Sequence, residues 1–321
     1  MVVPRWSMLL FVASAVLLAA CGGTSDDAGW DARGIAQSQD GVPFFPIRAT
    51  SPPGVGPARL AIALTDNGAL LPDATVAMRI YRLAEEPQDA PNVAELRAEQ
   101  IATPRSIVVT SDHKHDDGTV HPHQGPTSTV YVANVLLDEP GWWGIEADVE
   151  LDGERYEGVR LSFWVRDVSG EPGIGAPVPR STQRTLRDVS DISEIDTSVP
   201  PHPEFHELTI AEALDTGKPV VVAFVTPAFC QTRFCGPVME EVILPTHARY
   251  GDAIEIVHIE PFDLEAMRRG VPEPVPTVQE WGLLSEPFVF VLNPDGTVAA
   301  KFEGIMEAEE IAASLDVLLS P

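Results

Sequence analysis

Two cysteines five positions apart, Cys230 and Cys235, lie between an apolar run and a segment typical of a helix start. The run is VVVAFVT, beginning at Val220, and the segment is CGPVMEEV. The thiolate is the reactive form of cysteine, and it is favoured where the N–H groups of a helix N-terminus and a nearby cation face the sulfur. Arg233 lies between the two cysteines. The arrangement predicts thiol–disulfide chemistry at a strand-to-helix junction.

The sequence leaves two roles open for the pair. Either Cys235 starts the helix and Cys230 is a displaced partner on the loop, or Cys230 leads and the loop is longer. We favour the first, because Gly236-Pro237 suits a helix entry. Cys235 would then carry the helix-stabilised thiolate, and Cys230 would resolve or open the disulfide. A disulfide across four residues also requires Cys230 to precede the helix.

The first 21 residues indicate the compartment. Arg5 precedes the apolar run MLLFVASAVLLAA, and the run ends in Leu18-Ala19-Ala20-Cys21. Residues 1–20 therefore read as a secretory signal that is too short for a stable membrane span. LAAC resembles the bacterial lipobox, which implies lipidation of Cys21 and an extracytoplasmic protein anchored to the cell membrane or outer membrane. Only Cys230 and Cys235 would remain as thiols, in a compartment where thiol pairs tend to be oxidised.

Composition excludes some partners. The chain has 48 Asp and Glu against 21 Lys and Arg, a formal net charge of −27. A surface this anionic argues against nucleic acid as a partner.

Residues 21–43 are rich in Gly, Asp and Ser without an apolar period, which is typical of a flexible tether.

Residues 44–168 show short alternating apolar runs separated by turns, including Asn67-Gly68 and Asp152-Gly153. This pattern predicts consecutive strands of an antiparallel, Ig-like sandwich. An Ala/Glu-rich interruption at residues 84–100 is predicted to be a loop or a short helix. Residues 169–204 are rich in Pro and Gly and are predicted to be an extended surface linker. Residues 205–321 alternate predicted helices and strands, which is an α/β pattern.

Three features of residues 205–321 resemble a thioredoxin-like domain and occur in the same order along the chain. They are the strand, cysteine loop and helix at 220–244, the proline at Glu286-Pro287-Phe288, and the hairpin LNPDGTVAAKFEG. The resemblance implies that Pro287 is cis and faces the cysteines. Two departures weaken it. The cysteines enclose four residues instead of two, and the second cysteine of a CGPC motif is replaced by Val238.

Thioredoxins also bury a carboxylate on the strand before the cysteines, and that place falls near Ala223 here. No acid occurs between Pro219 and Cys235. Glu260 is the substitute candidate, because it ends a predicted parallel strand where α/β sites cluster. His258 shares the face of Glu260 but is predicted to be a core or interface histidine.

Four of the eight histidines fall within eleven residues: His113, His115, His121 and His123. The two H-x-H pairs flank the predicted turn Asp116-Asp117-Gly118. Imidazole and carboxylate ligands suit Cu(II) or Zn(II), so this loop is a candidate metal site. A solvated polar loop is the alternative. The sequence contains no Gly-rich phosphate loop, no G-x-S-x-G elbow and no H-E-x-x-H motif.

The predicted fold class is multidomain, with an N-terminal all-β Ig-like sandwich plus a C-terminal α/β thioredoxin-like domain. The leading functional hypothesis is a lipid-anchored thiol–disulfide oxidoreductase that acts on protein thiol or disulfide clients through Cys230 and Cys235, with Arg233, Glu260 and Pro287 at the site. One alternative is a copper-handling or cytochrome-assembly protein that uses the His-rich loop. Another is a non-catalytic scaffold lipoprotein with a structural disulfide.

Overall fold

The computed structural model describes residues 41–87, 93–114 and 120–320, and side chains in 110–124 are outside the description. The predicted signal peptide, the lipidation site Cys21 and nearly all of the predicted tether therefore lie outside the described residues. Within the described ranges, no helix combines the length and apolar character needed to cross a membrane.

Two antiparallel sheets form from the alternating runs of the N-terminal half. The first has the order β1-β2-β7-β6, with β3 paired to β2, and the second has the order β5-β4-β8-β9. Their inward side chains share a buried apolar core that includes Leu60, Tyr131 and Trp143. The strands are β1 Phe45–Arg48, β2 Gly56–Asp66, β3 Ala69–Leu70, β4 Thr75–Leu83, β5 Ala94–Ile101, β6 Thr103–Lys114, β7 Val120–Leu137, β8 Gly141–Leu151 and β9 Glu154–Val165.

Both predicted turns are present. Asn67-Gly68 and Asp152-Gly153 each place two successive residues at positive φ, with values of 47° and 83° in the first and 53° and 80° in the second. That geometry joins the hairpins β2–β3 and β8–β9 with the twist that two-residue loops favour. Within residues 84–100, the predicted loop or short helix is wrong for residues 94–100, because they belong to β5. Its Ala/Glu composition fits an edge strand that pairs with β4 and leaves charged side chains in solvent.

The C-terminal half contains one mixed sheet of four strands, in the order β11-β10-β12-β13. Only β10 and β11 run parallel. All five residues of β10 are buried, as its unbroken apolar run requires. The elements are α1 Ile210–Asp215, β10 Val220–Phe224, α2 Cys235–Val238, a π-helical turn at Met239–Ile243, α3 Leu244–Tyr250, β11 Glu255–Ile259, α4 Leu264–Arg268, α5 Pro276–Glu280, β12 Phe288–Leu292, β13 Val298–Glu303 and α6 Ala308–Leu319.

The predicted fold class is wrong. The structure is mainly β, with 40% strand against 20% helix in three sheets, which does not support an α/β thioredoxin-like C-terminal domain. The helices are short: α1 has six residues and α6 has twelve. One apolar core also combines Ala61 and Val130 of the first sheet with Val221 and Ile311 of the C-terminal half.

Residues 169–204 pack against the C-terminal sheet. Val178 joins the core beneath that sheet, and Pro177 forms a β-bridge with Thr297. Polar side chains in the same stretch are buried, including Thr185 and Asp196. This stretch therefore contributes buried polar side chains to the C-terminal half, which its Pro and Gly content did not indicate.

Candidate functional site: a thiol pair and a buried polar cluster

The cysteine loop connects buried β10 to the N-terminus of α2. Cys235 is the first residue of α2 and is fully buried, whereas Cys230 lies before the helix and is half-buried. The backbone N–H of Cys235 donates a hydrogen bond to Cys230 Sγ, with 3.2 Å between N and Sγ. The Thr232 hydroxyl lies 3.2 Å from the same sulfur. Donors therefore converge on Cys230.

The two thiols differ in proton affinity. The hydrogen bond from the Cys235 thiol is the largest cause that lowers the Cys230 pKa to about 6; burial opposes the shift, and Thr232 and the Cys235 backbone add to it. Burial, followed by the interaction with Cys230, raises the pKa of Cys235 far above its usual range. These shifts favour Cys230 as the thiolate and Cys235 as the protonated thiol, which is the reverse of the predicted assignment.

Arg233 shapes the loop instead of pairing with a sulfur. Its φ of 67° is in the left-handed region, which few residues other than glycine adopt. Its side chain is exposed. Among the described residues, the causes that lower the Cys230 pKa are hydrogen bonds from Cys235 and Thr232, and Arg233 is not one of them.

Pro287 and the residue before it fix the other side of the loop. The Glu286–Pro287 peptide bond is cis, as the sequence resemblance implied. The Glu286 carboxylate is 8% exposed and accepts a hydrogen bond from the Gln231 backbone N–H at 3.1 Å. Burial raises the Glu286 pKa, and the charge of Cys230 adds to the increase. The sequence reasoning missed Glu286, although an acid directly before Pro287 was visible.

Glu260 follows β11 and is 5% exposed. Its Oε1 accepts hydrogen bonds from the Thr197 backbone N–H at 2.7 Å and from the Thr197 hydroxyl at 2.5 Å. Burial raises the Glu260 pKa to about 7, although Thr197 and Thr226 partly oppose the shift. Glu260 Oε2 and Thr226 Oγ1 are both buried without a well-formed hydrogen bond.

Thr197 and Thr226 connect this carboxyl group to the cysteine loop. The Thr197 hydroxyl accepts a hydrogen bond from the Ala228 backbone N–H, two residues before Cys230. The Thr226 backbone interacts with the Cys235 thiol and lowers its pKa slightly. Glu260 therefore lies at the edge of the thiol site, where Thr197 and Thr226 separate its carboxyl group from the two cysteines.

A second group of titratable residues lies buried beside Glu260. His206 Nε2 is 3.2 Å from Asp196 Oδ2 and 3.1 Å from His258 Nδ1, and His258 Nε2 donates to the Val225 carbonyl oxygen at 3.0 Å. Burial, then the charge of His206, lowers the His258 pKa to about 4. Burial alone would raise the Asp196 pKa, but hydrogen bonds from His206 and the His202 backbone, with the charge of His258, lower it below its usual range. His258 is a buried core histidine, as predicted.

The predicted His-rich metal site falls largely outside the described residues. His115 is outside them altogether. The backbones of β6 and β7 pair His113 with His121 and Ser111 with His123. The metal prediction for this loop stays a prediction.

A groove passes beside the cysteine loop. Its volume is about 760 Å³, and its walls combine the first sheet with the loop. Ile47 and Leu70 contribute apolar surface from the sheet, and Gln231, Phe234 and Glu286 contribute the side next to the thiols. The groove borders residues Gln231 to Phe234, which directly follow Cys230 in the chain.

In comparisons with known proteins, no protein-family model matches the chain and no curated protein matches it. The resemblance to thioredoxin-like proteins therefore stays a prediction from the sequence.

Proposed function

We propose that the chain catalyses thiol–disulfide exchange, with Cys230 as the attacking thiolate and Cys235 as the second thiol. The observation that carries the proposal is the opposite shift of the two pKa values on neighbouring sulfurs. A nucleophile must be ionised and accessible, which describes Cys230. The second thiol must stay protonated until the first has reacted, and the raised pKa of buried Cys235 meets this requirement.

Exchange takes place in two steps. The Cys230 thiolate attacks one sulfur of a client disulfide, so that a Cys230–client bond forms and the client's other sulfur leaves as a thiolate. Cys235 then loses its proton to a base and attacks Cys230 Sγ. The Cys230–Cys235 disulfide forms, and the client leaves as a dithiol. Two electrons pass from the cysteine pair to the client, and the reverse sequence oxidises a client dithiol.

The groove supports a protein client. A client strand that lies between the first sheet and residues Gln231 to Phe234 would bring a disulfide to the exposed side of Cys230. The apolar wall would contact side chains of the client, and the loop backbone would contribute hydrogen bonds. Carboxylates such as Glu286 and Glu303 line the same groove, so we expect clients that are not strongly acidic.

The anchor belongs to the same proposal. A lipid on Cys21 would hold the domain outside the cytoplasm, where disulfide clients occur. Metabolic labelling with a fatty acid tests it: the lipid should be incorporated into the chain and should be absent from a Cys21→Ser variant.

The proposal is tested by trapping the intermediate. In a Cys21→Ser background, Cys235→Ser should accumulate a mixed disulfide through Cys230 with a disulfide-containing client such as oxidised insulin, and Cys230→Ser should accumulate none. Turnover of insulin reduction should fall to the uncatalysed rate in both variants. Full reductase activity in Cys230→Ser would refute the proposed roles.

A structural disulfide is the rival that the burial of Cys235 favours. The redox equilibrium of the pair in glutathione buffers separates the two. Exchange requires a reversible couple between about −270 and −120 mV, whereas a structural bond would resist reduction below about −300 mV.

A further inference from the structure

We propose that Asp196, His206 and His258 bind one zinc ion. The three side chains come from separate segments. Asp196 follows the short helical turn Ile192–Glu194, His206 follows the turn Pro203–Phe205, and His258 lies on β11. All three are buried, with exposures of 2%, 3% and 1%. Their ligand atoms lie within 4.8 Å of one another.

The spacing of the ligand atoms fits a tetrahedral metal. Zinc bonds of about 2.0–2.1 Å in tetrahedral geometry place neighbouring ligand atoms about 3.3 Å apart. His258 Nδ1 is 3.1 Å from His206 Nε2, and His206 Nε2 is 3.2 Å from Asp196 Oδ2. The other Asp196 oxygen, Oδ1, is 3.8 Å from His258 Nδ1, and one ligand atom from each residue can be chosen so that all three lie within 4.8 Å of one another. One ion could contact all three side chains with small adjustments.

Protons alone leave this cluster short of donors. The Val225 carbonyl oxygen can only accept, so His258 Nε2 carries a hydrogen. In a neutral imidazole, His258 Nδ1 is then a bare acceptor that faces His206 Nε2. The Asp196 carboxylate faces the same nitrogen. A single hydrogen on His206 Nε2 faces both of these acceptors, whereas a cation would contact all three side chains at once.

The surroundings orient the ligands as outer-shell groups do in metal sites. The Val225 carbonyl fixes the His258 ring, and the backbone N–H groups of Ser198 and His202 donate to Asp196 at 2.7 Å and 2.8 Å. Two imidazoles with one carboxylate suit zinc. A cavity of about 410 Å³, lined by His206, His258 and Glu260, lies next to the cluster and has room for a water molecule as a fourth ligand.

This zinc site is separate from the His-rich loop and from the thiols, so the test removes the loop histidines by substitution and identifies any sulfur ligands by spectroscopy. The background is the full chain with Cys21→Ser and with His113, His115, His121 and His123 replaced by serine. After chelation and dialysis against micromolar zinc sulfate, this chain should retain one zinc per molecule. Asp196→Asn and His258→Gln should each weaken zinc binding at least ~100-fold. His247→Gln is the matched control and should bind like the background, because His247 packs against Phe205 near the cluster without joining it.

A second measurement does not depend on the folding of the variants. X-ray absorption at the zinc edge of the loaded background chain should show two imidazole nitrogens and oxygen ligands. Sulfur ligands would place the metal on the cysteine pair and overturn the proposal. The proposal also fails if the background chain retains no zinc, or if His258→Gln and His247→Gln retain equal amounts. The zinc site and the exchange function can fail independently, because neither assay depends on the other.

Discussion

The Cys235→Ala substitution tests how the thiolate on Cys230 is stabilised. The Cys235 thiol is the strongest hydrogen-bond donor to the Cys230 sulfur, so its removal should raise the Cys230 pKa above about 6. The Cys235 backbone N–H and the Thr232 hydroxyl remain as donors, so the new value should stay below the ordinary 9.0.

The magnitude follows from the fraction of thiolate. With a pKa of about 6, roughly 90% of Cys230 is ionised at pH 7, whereas a pKa of 9.0 would leave roughly 1%. Alkylation by iodoacetamide at pH 7 should therefore run near its maximal rate in the parent chain. In Cys235→Ala the rate at pH 7 should fall several-fold relative to its own maximum at high pH.

The assay is the pH profile of Cys230 alkylation in a Cys21→Ser background, followed by mass spectrometry that locates the label. Thr232→Val should raise the midpoint by a smaller amount, and Thr232→Ser should restore it, because the hydroxyl is kept. An unchanged midpoint in Cys235→Ala would refute the hydrogen-bond origin of the low pKa. Preferential labelling of Cys235 in the parent chain would refute the assignment of the thiolate.

Three further outcomes are expected. The reduction potential of the pair should fall by about 59 mV per pH unit below pH 6 and by about 30 mV per pH unit above it. The slope changes because reduction takes up two protons below the Cys230 pKa and one proton above it. Protein-film voltammetry or glutathione titration over a range of pH measures this change of slope. Arg233→Gly should leave the alkylation midpoint of Cys230 unchanged, and a large upward shift would show that the guanidinium stabilises the thiolate. Glu310→Ala should lower the free energy of unfolding by about 3 kcal/mol, because the buried Arg59, whose side chain is 9% exposed, loses its carboxylate partner. The control Glu265→Ala breaks an exposed ion pair with Arg269 and should cost less than about 1 kcal/mol in a denaturant titration.

The sequence located the thiol site because the signals that place it are local. The apolar run of β10 and the Gly236-Pro237 helix entry are read within twenty residues. The sequence could not assign the thiolate, because the loop geometry that aims the Cys235 N–H at Cys230 depends on Arg233 adopting a positive φ and on contacts from Thr197 and Glu286. Those partners are 33 and 56 positions away from Cys230 in the chain.

The fold class failed for a related reason. Periodicity identified strands and short helices one at a time, but it does not report how much of the chain they occupy or which cores they share. The edge strand β5 was missed because Ala and Glu are poor strand formers whose pairing is set by β4. The polar cluster was missed because Asp196 and His206 lie in a stretch whose Pro content indicates a linker, and only the packing brings them to His258.

The loop geometry also reconciles the two roles that the sequence left open for the cysteines. Cys230 precedes the helix by five residues, yet its sulfur accepts the N–H of the first helical residue. The left-handed turn at Arg233 folds the four-residue spacer back and allows this contact. Helical structure continues from Cys235 to Tyr250 through the π-helical turn, so its positive end faces Cys230. The helix therefore stabilises the thiolate of the cysteine outside it.

This arrangement affects the direction of exchange. Ionisation of Cys230 at pH 7 stabilises the dithiol form by up to about 1.4 kcal/mol relative to a thiol with a pKa of 9.0. For a two-electron couple that corresponds to a reduction potential about 30 mV higher. The thiolate favours the reduced pair, and so the oxidised pair is the better oxidant of client thiols. Loss of the Cys230 hydrogen bonds in Thr232→Val should shift the potential downward. An upward shift would mean that the oxidised state, and not the thiolate, is what the loop stabilises.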